Sequence, residues 1–289
     1  MAMAVIDSLL VILLTIWLVE KGAAYHHKGQ HISVRTPAFD KEKEDAFYSL
    51  PDHISDEGIE NFEKVCFEDD FPYTGYNLYC LCDDPRLCLI FDEEGYLVGI
   101  QISYPRCELL DDYIYNSSNT NYISTYIFGV ELISVRIWFI NPECGRNSKP
   151  GEMVDGLWVV LNGQLVRIDS KCQPNAPNIG EFVMLGCADQ IGQVFAYQFD
   201  DHHSLINGFF LYLLYEDRRL VGWGHTMPGK ISQGPHLNVY SYPDGPLIDT
   251  LVKYPPPQFH DLQSYGFTTT VVYLIKDPWN IRCPKCLCD

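Results

Sequence analysis

The chain has 289 residues, of which 47% are hydrophobic and 13% aromatic, and it sets 38 Asp and Glu against 20 Lys and Arg for a formal net charge of −18. Scattered basic residues in so acidic a chain exclude nucleic acid as a partner, because phosphate recognition needs grouped Lys and Arg. The bland consequence of the charge is solubility, and the sharper one is attraction for cations or basic partners.

The chain opens on a run of twelve largely apolar residues, Ser8 to Val19, bounded by Asp7 and Glu20 and followed by Gly22, Ala23 and Ala24. A spanning helix needs about 20 apolar residues, so the run is too short for an anchor. Residues 1–24 read as a signal peptide, with Gly22 and Ala24 in the small positions of the cleavage site and the mature chain starting near Tyr25. Removing them leaves the net charge one unit less negative. No later segment is long and apolar enough to span, so the body is expected to be soluble, without stable membrane insertion.

Residues 25–54 are polar, with the mixed-charge run Asp40 to Asp45, and predict an extended N-terminal arm. Residues 55–289 then form a single disulfide-stabilised β-rich domain, with two related halves as a further reading. At its start, Ile59, Phe62, Val65 and Cys66 recur at helical spacing behind Ser55 as N-cap, which predicts one short helix near residues 55–66. Beyond it the recurring unit is the β-hairpin. Leu87 to Tyr104 turns at Asp92-Glu93-Glu94-Gly95, and Leu157 to Ile168 turns at Asn162-Gly163, the strongest short hairpin signal. A third hairpin is predicted at Phe209 to Trp223, turning near Glu216 to Arg219, and a fourth at Leu237 to Val252, turning at Pro243-Asp244-Gly245. The fold class is therefore mainly β, with antiparallel hairpins in a sandwich-like arrangement.

Leu97-Val98-Gly99 and Leu220-Val221-Gly222 each precede a proline, Pro105 or Pro228, with five residues between. The match raises an internal duplication, although common hairpin chemistry explains it equally well. The many Tyr and Phe in segments such as Tyr122 to Trp138 fit half-buried strands.

The eleven cysteines are Cys66, Cys80, Cys82, Cys88, Cys107, Cys144, Cys172, Cys187, Cys283, Cys286 and Cys288. In an exported chain most belong in disulfides, and the odd number leaves at least one free or linked to another chain, so a disulfide-linked dimer is one expectation. Spacing leaves the pairing open. Cys172 with Cys187 would close a short loop worth about 3 kcal/mol, and the CxxC at Cys283 to Cys286 reads as a disulfide-pinned tail rather than a redox or zinc motif.

Asn116-Ser117-Ser118 is an N-glycosylation sequon in a polar stretch, and Asn116 is the expected glycan site. Asp200, His202 and His203 are candidate ligands for zinc or another divalent metal, with His225 or His236 as help from a later hairpin. Adjacent strand residues face opposite sides, so few of the consecutive ligands could converge. A solvated turn is the plainer reading. The pairs Asp69-Asp70, Asp83-Asp84 and Asp111-Asp112 could in principle serve as glycosidase carboxylates, about 5–10 Å apart, but such doublets are expected among so many acids. No nucleophile elbow, zinc-protease helix or phosphate loop is present.

At Phe210 to Tyr215, Leu220 to Gly224 and Leu97 to Ile102 the sequence resembles uncharacterised secreted invertebrate β-rich proteins built on such strand pairs. The resemblance implies export and a β-rich body, and it supplies no catalytic residues. Where a His is expected after the Gly in such proteins, this chain has Gly192-Gln193-Val194. The leading expectation is a secreted, non-enzymatic binding or structural protein needing no cofactor, with an extracellular protein, glycan or cation as partner. The alternatives are a secreted hydrolase or metal-dependent enzyme using Asp200, His202, His203 and His225, and an acidic matrix or mineral-associated protein.

Overall fold

The computed structural model describes residues 31–36, 46–65, 75–110, 121–144, 156–171, 182–199 and 210–283. Two short strands, β1 (Ser33–Arg35) and β2 (Phe47–Ser49), come from the segment read as a polar arm. The next eight are β3 (Phe62–Val65), β4 (Tyr76–Leu81), β5 (Asp84–Asp92), β6 (Leu97–Pro105), β7 (Ile123–Ile127), β8 (Val130–Trp138), β9 (Gly156–Leu161) and β10 (Gln164–Asp169). They form one antiparallel sheet in the order β10-β9-β8-β6-β5-β4-β3, with β7 paired to β8. The second sheet takes β11 (Phe182–Ala188), β12 (Gly192–Tyr197), β13 (Phe210–Glu216), β14 (Arg219–Pro228) and β15 (Phe267–Tyr273), continued by β1 and then β2. Two helices, α1 (Gly245–Leu251) and α2 (Pro257–Tyr265), lie between β14 and β15 in the chain.

The sheets share one core. Leu87, Leu89, Phe91, Ile100 and Ile102 of the first sheet join Leu211, Leu213, Trp223 and Val272 of the second in a single buried cluster. The strand β5 does not alternate because both its faces are covered, as its Leu-Cys-Leu-Ile-Phe run requires. Its other face joins a smaller cluster around Leu78, Ile90 and Trp138. There Cys80 and Cys88, directly opposite in the β4–β5 register, form a disulfide.

The Leu-Val-Gly match has a stereochemical cause. In the β5–β6 hairpin the register slips so that Val98 is unopposed, and in the β13–β14 hairpin Val221 is unopposed in the same way. Each bulged valine offers its carbonyl to the third strand's end, Val98 to the Phe139 amide and Val221 to the Leu274 amide, both at 2.8 Å. The glycine that follows must lack a side chain: a Cβ on Gly99 would lie 2.9 Å from the Ile137 carbonyl, and one on Gly222 2.5 Å from that of Val272. Two bulges beside a third strand thus demand the same glycine after the bulged residue.

Three expected hairpins form as read, at β5–β6, β9–β10 and β13–β14. At Asn162 and Gly163 both turn residues have positive φ, 51° and 74°, as a type I′ turn needs. The β13–β14 turn makes the same demand of Asp217 and Arg218, at 45° and 66°. A side chain in that region costs about 1 kcal/mol relative to glycine. Replacing exposed Arg218 by Gly is therefore expected to stabilise the protein by about 0.5–1 kcal/mol, read as a higher urea midpoint; a lower midpoint would mean that the Arg218 side chain contributes more than its backbone strain costs.

Two expectations are corrected. The described residues 55–65 do not form the expected helix: Ile59–Asn61 is a single 3₁₀ turn, entered through Gly58 at φ 95°, and Phe62–Val65 is the strand β3, paired to β4. The hairpin expected at Leu237 to Val252 is instead a loop followed by α1, because the Asp244 carboxylate accepts from the Leu247 amide at 2.9 Å and caps the helix. Of the pairings that spacing leaves open, Cys187 takes Cys283. That bond does pin the C-terminal segment, as the tail reading expected.

Candidate functional site

The second sheet carries the site on the face turned away from the other sheet. Alternation along the strands sends Val194, Ala196, Tyr212, Thr226, Thr269 and Val271 to this outer side, and α1 and α2 cover part of it. The helix α1 lies directly on β11: a Cβ on Gly186 would be 2.6 Å from the Leu251 carbonyl, so only glycine admits this approach. The helix α2 is fixed by Phe259, whose ring stacks on Phe267 and meets Phe199 edge-on, both at 5.3 Å. Between helices and sheet remains a cavity of about 110 Å³. Among the described residues its lining is apolar apart from Tyr212, Thr226 and Thr269, and includes no Lys, Arg, His, Asp or Glu.

Those three polar residues form its floor. Tyr212 stands opposite Gly224 in the register, and the missing Cβ lets the tyrosine ring lie across β14, 2.3 Å from where that atom would be. The ring thereby delivers its hydroxyl to Thr269 Oγ1 at 2.6 Å. Thr226 Oγ1 donates to the same oxygen at 2.8 Å, and Thr269 Oγ1 donates in turn to the His225 carbonyl at 3.2 Å. Burial pushes the Tyr212 pKa well above the ordinary phenol range, so the group stays a neutral phenol.

No family model, curated protein or solved structure matches the chain. The site is therefore read from its own geometry.

His225, the described member of the expected metal set, sits on the opposite face of β14, in the core between the sheets and fully buried. Its Nδ1 lies 3.0 Å from Tyr104 Oη and its Nε2 3.2 Å from Tyr122 Oη. Tyr104 also donates to the His225 carbonyl at 3.3 Å, and Tyr122 to Met227 Sδ at 3.6 Å. Burial lowers the imidazole pKa from 6.5 to about 3, so the ring is neutral. His236 is exposed. Asp200, His202, His203 and Asn116 lie outside the described residues, as do Cys66, Cys172, Cys286 and Cys288. Among the described residues no group of three His, Cys, Asp or Glu is placed to hold a metal. Cys82, Cys107 and Cys144 carry free thiols, Cys107 and Cys144 in exposed positions.

A second polar cluster clasps the two sheets together. Arg86 of β5 reaches Asp84 and Glu108, each at 3.1 Å, and also the carbonyl and hydroxyl of Ser232 in the loop after β14. The same loop inserts Tyr240, which stacks on Tyr104 at 5.4 Å and bonds the Ser103 carbonyl. Every contact of this cluster is internal, and it reads as an architectural joint.

Proposed function

We propose that this protein is an exported, non-enzymatic binding protein whose outer cavity on the second sheet holds a small, largely apolar group of a ligand. The observation that carries the reading is a preformed apolar cavity whose only polar lining groups among the described residues are three convergent hydroxyls, the usual composition of a small-molecule site. In size it compares with an engineered cavity of about 150 Å³ that binds benzene, so a phenyl ring or a short alkyl chain is the scale of group that fits. Export is supported by the Ser8 to Val19 run and by two disulfides. Among the described residues no helix is long and apolar enough to cross a membrane.

Toluene is a suitable probe. Titrated into the folded protein, it should raise the melting temperature and shift NMR signals of Val194, Ala196 and Val271. Replacing Ala196 by Leu fills the same space. That variant should be more stable by about 0.5–2 kcal/mol without ligand and should no longer respond to toluene. A native protein indifferent to toluene, or a variant that responds as the native does, would refute the cavity as a binding site.

A further inference from the structure

On the reading that the outer cavity binds a ligand, the rings around it narrow the class of group it takes. Five of the residues that line it are aromatic: Phe199, Phe210, Tyr212, Phe259 and Phe267. Phe199 follows β12, Phe210 and Tyr212 belong to β13, Phe259 to α2 and Phe267 to β15, so rings reach the cavity from the sheet and from the helix laid on it. Three of them already pack in the two geometries that aromatic quadrupoles favour. Phe259 stacks on Phe267 at an interplanar angle of 17°, and Phe199 meets Phe259 edge-on at 70°. Laid across β14 over Gly224, the Tyr212 ring covers the backbone beneath it and borders the cavity above.

We propose that the inserted group is an aromatic ring, taken in preference to a saturated group of the same carbon number. Any apolar group gains from leaving water in proportion to its area. A ring gains more here, because its edge can meet the face of a lining ring, or its face the edge of one, at centroid separations of about 4.5–7 Å. Each such pair strengthens association by roughly two- to tenfold beyond area burial. A saturated ring or an alkyl chain has no quadrupole to offer in return.

The test titrates toluene and methylcyclohexane, equal in carbon number, into the native protein and into two variants, Phe199→Leu and Phe259→Leu, each checked for native-like thermal unfolding. Each affinity is divided by the compound's own partition coefficient from water into hexane, so that its hydrophobicity cancels. On that scale toluene should bind the native protein more than about threefold tighter than methylcyclohexane, the gain of at least one ring pair. The ring protons of bound toluene should also move upfield in the NMR spectrum, and the corrected ratio should fall by about twofold or more in at least one variant. A native ratio below about threefold, or a ratio unchanged in both variants, would overturn the aromatic preference while leaving the cavity a binding site. The native ratio decides the preference by itself should neither variant fold. Failure of both compounds to bind the native protein would instead overturn the cavity as a binding site, and the aromatic preference with it.

Discussion

Replacing Cys187 and Cys283 together by Ala should lower the unfolding free energy by about 4–5 kcal/mol, since in the chain-entropy account a disulfide across roughly 100 residues removes that much from the unfolded state. The two cysteines are 96 positions apart. The segment they fasten is already docked: the Gln190 amide donates to the Ile281 carbonyl at 2.9 Å, the Arg282 amide to Glu216 at 2.8 Å and the Cys283 amide to Asp189 at 3.1 Å, with Ile281 fully buried. The bond therefore acts mainly on the unfolded chain. The Cys80–Cys88 bond offers an internal control. Its separation is 8, and the same account assigns it only about 2–3 kcal/mol. Urea midpoints of the two double-alanine variants decide the matter, and a larger loss for the short loop than for the long one would rule out loop entropy as the cause. Loss of about a quarter or more of the total is expected, because whole domains are stable by only about 5–15 kcal/mol.

Acid should destabilise the protein through His225, and His225→Gln should remove that sensitivity. The folded state holds the ring neutral, with its pKa lowered to about 3 by burial, whereas the unfolded chain takes up a proton near 6.5. Above 6.5 neither state binds the proton and the group contributes no pH dependence. As the pH falls from 6.5 toward 3 only the unfolded state is protonated, so stability drops by up to about 1.4 kcal/mol per pH unit. Between pH 7 and pH 4.5 the native protein should lose about 2–3 kcal/mol more than the variant. Urea unfolding of both proteins at the two pH values measures the difference. Equal losses would show that the ring is solvated or protonated in the folded state.

The hairpins were legible because their signals are local. Asn162-Gly163 and the Asp-Glu-Glu-Gly turn at Gly95 fix positive-φ residues between apolar runs, and both strands of each pair lie within twenty residues of chain. The helix expected at 55–66 failed on a coincidence of periods. Phe62 is buried and Glu63 and Lys64 exposed, a pattern that suits a strand as well as a helix, and the partner that decides it, β4, lies beyond the segment itself. At Asp244 the signal was present and read for the wrong element. Asp-Gly followed by Pro246 marks an N-cap with proline in the first helical turn as well as it marks a hairpin turn. The disulfide pairing depends on β11 lying beside the C-terminal segment, which spacing does not encode. The cavity floor was illegible for the same reason. Tyr212, Thr226 and Thr269 come from three strands, and only the register places one ring over Gly224 and both threonines beneath it. Nothing in the run Thr268-Thr269-Thr270 distinguishes the hydroxyl that meets the cavity from its neighbours.

The order of the second sheet carries a consequence for biogenesis. Its first strand, β1, pairs with its last, β15, with Ser33 opposite Tyr273, and β2 hangs on β1. During synthesis β1 and β2 emerge early but have no sheet to join until β15 has been made. Until then the β14 edge, rich in Leu, Val and Trp, stays open as a template for other chains. Such pairing across more than two hundred residues is slow to form. The nascent protein should therefore depend on holding factors in whatever compartment it folds, and β15, which joins β14 to β1, is the strand that completes the sheet.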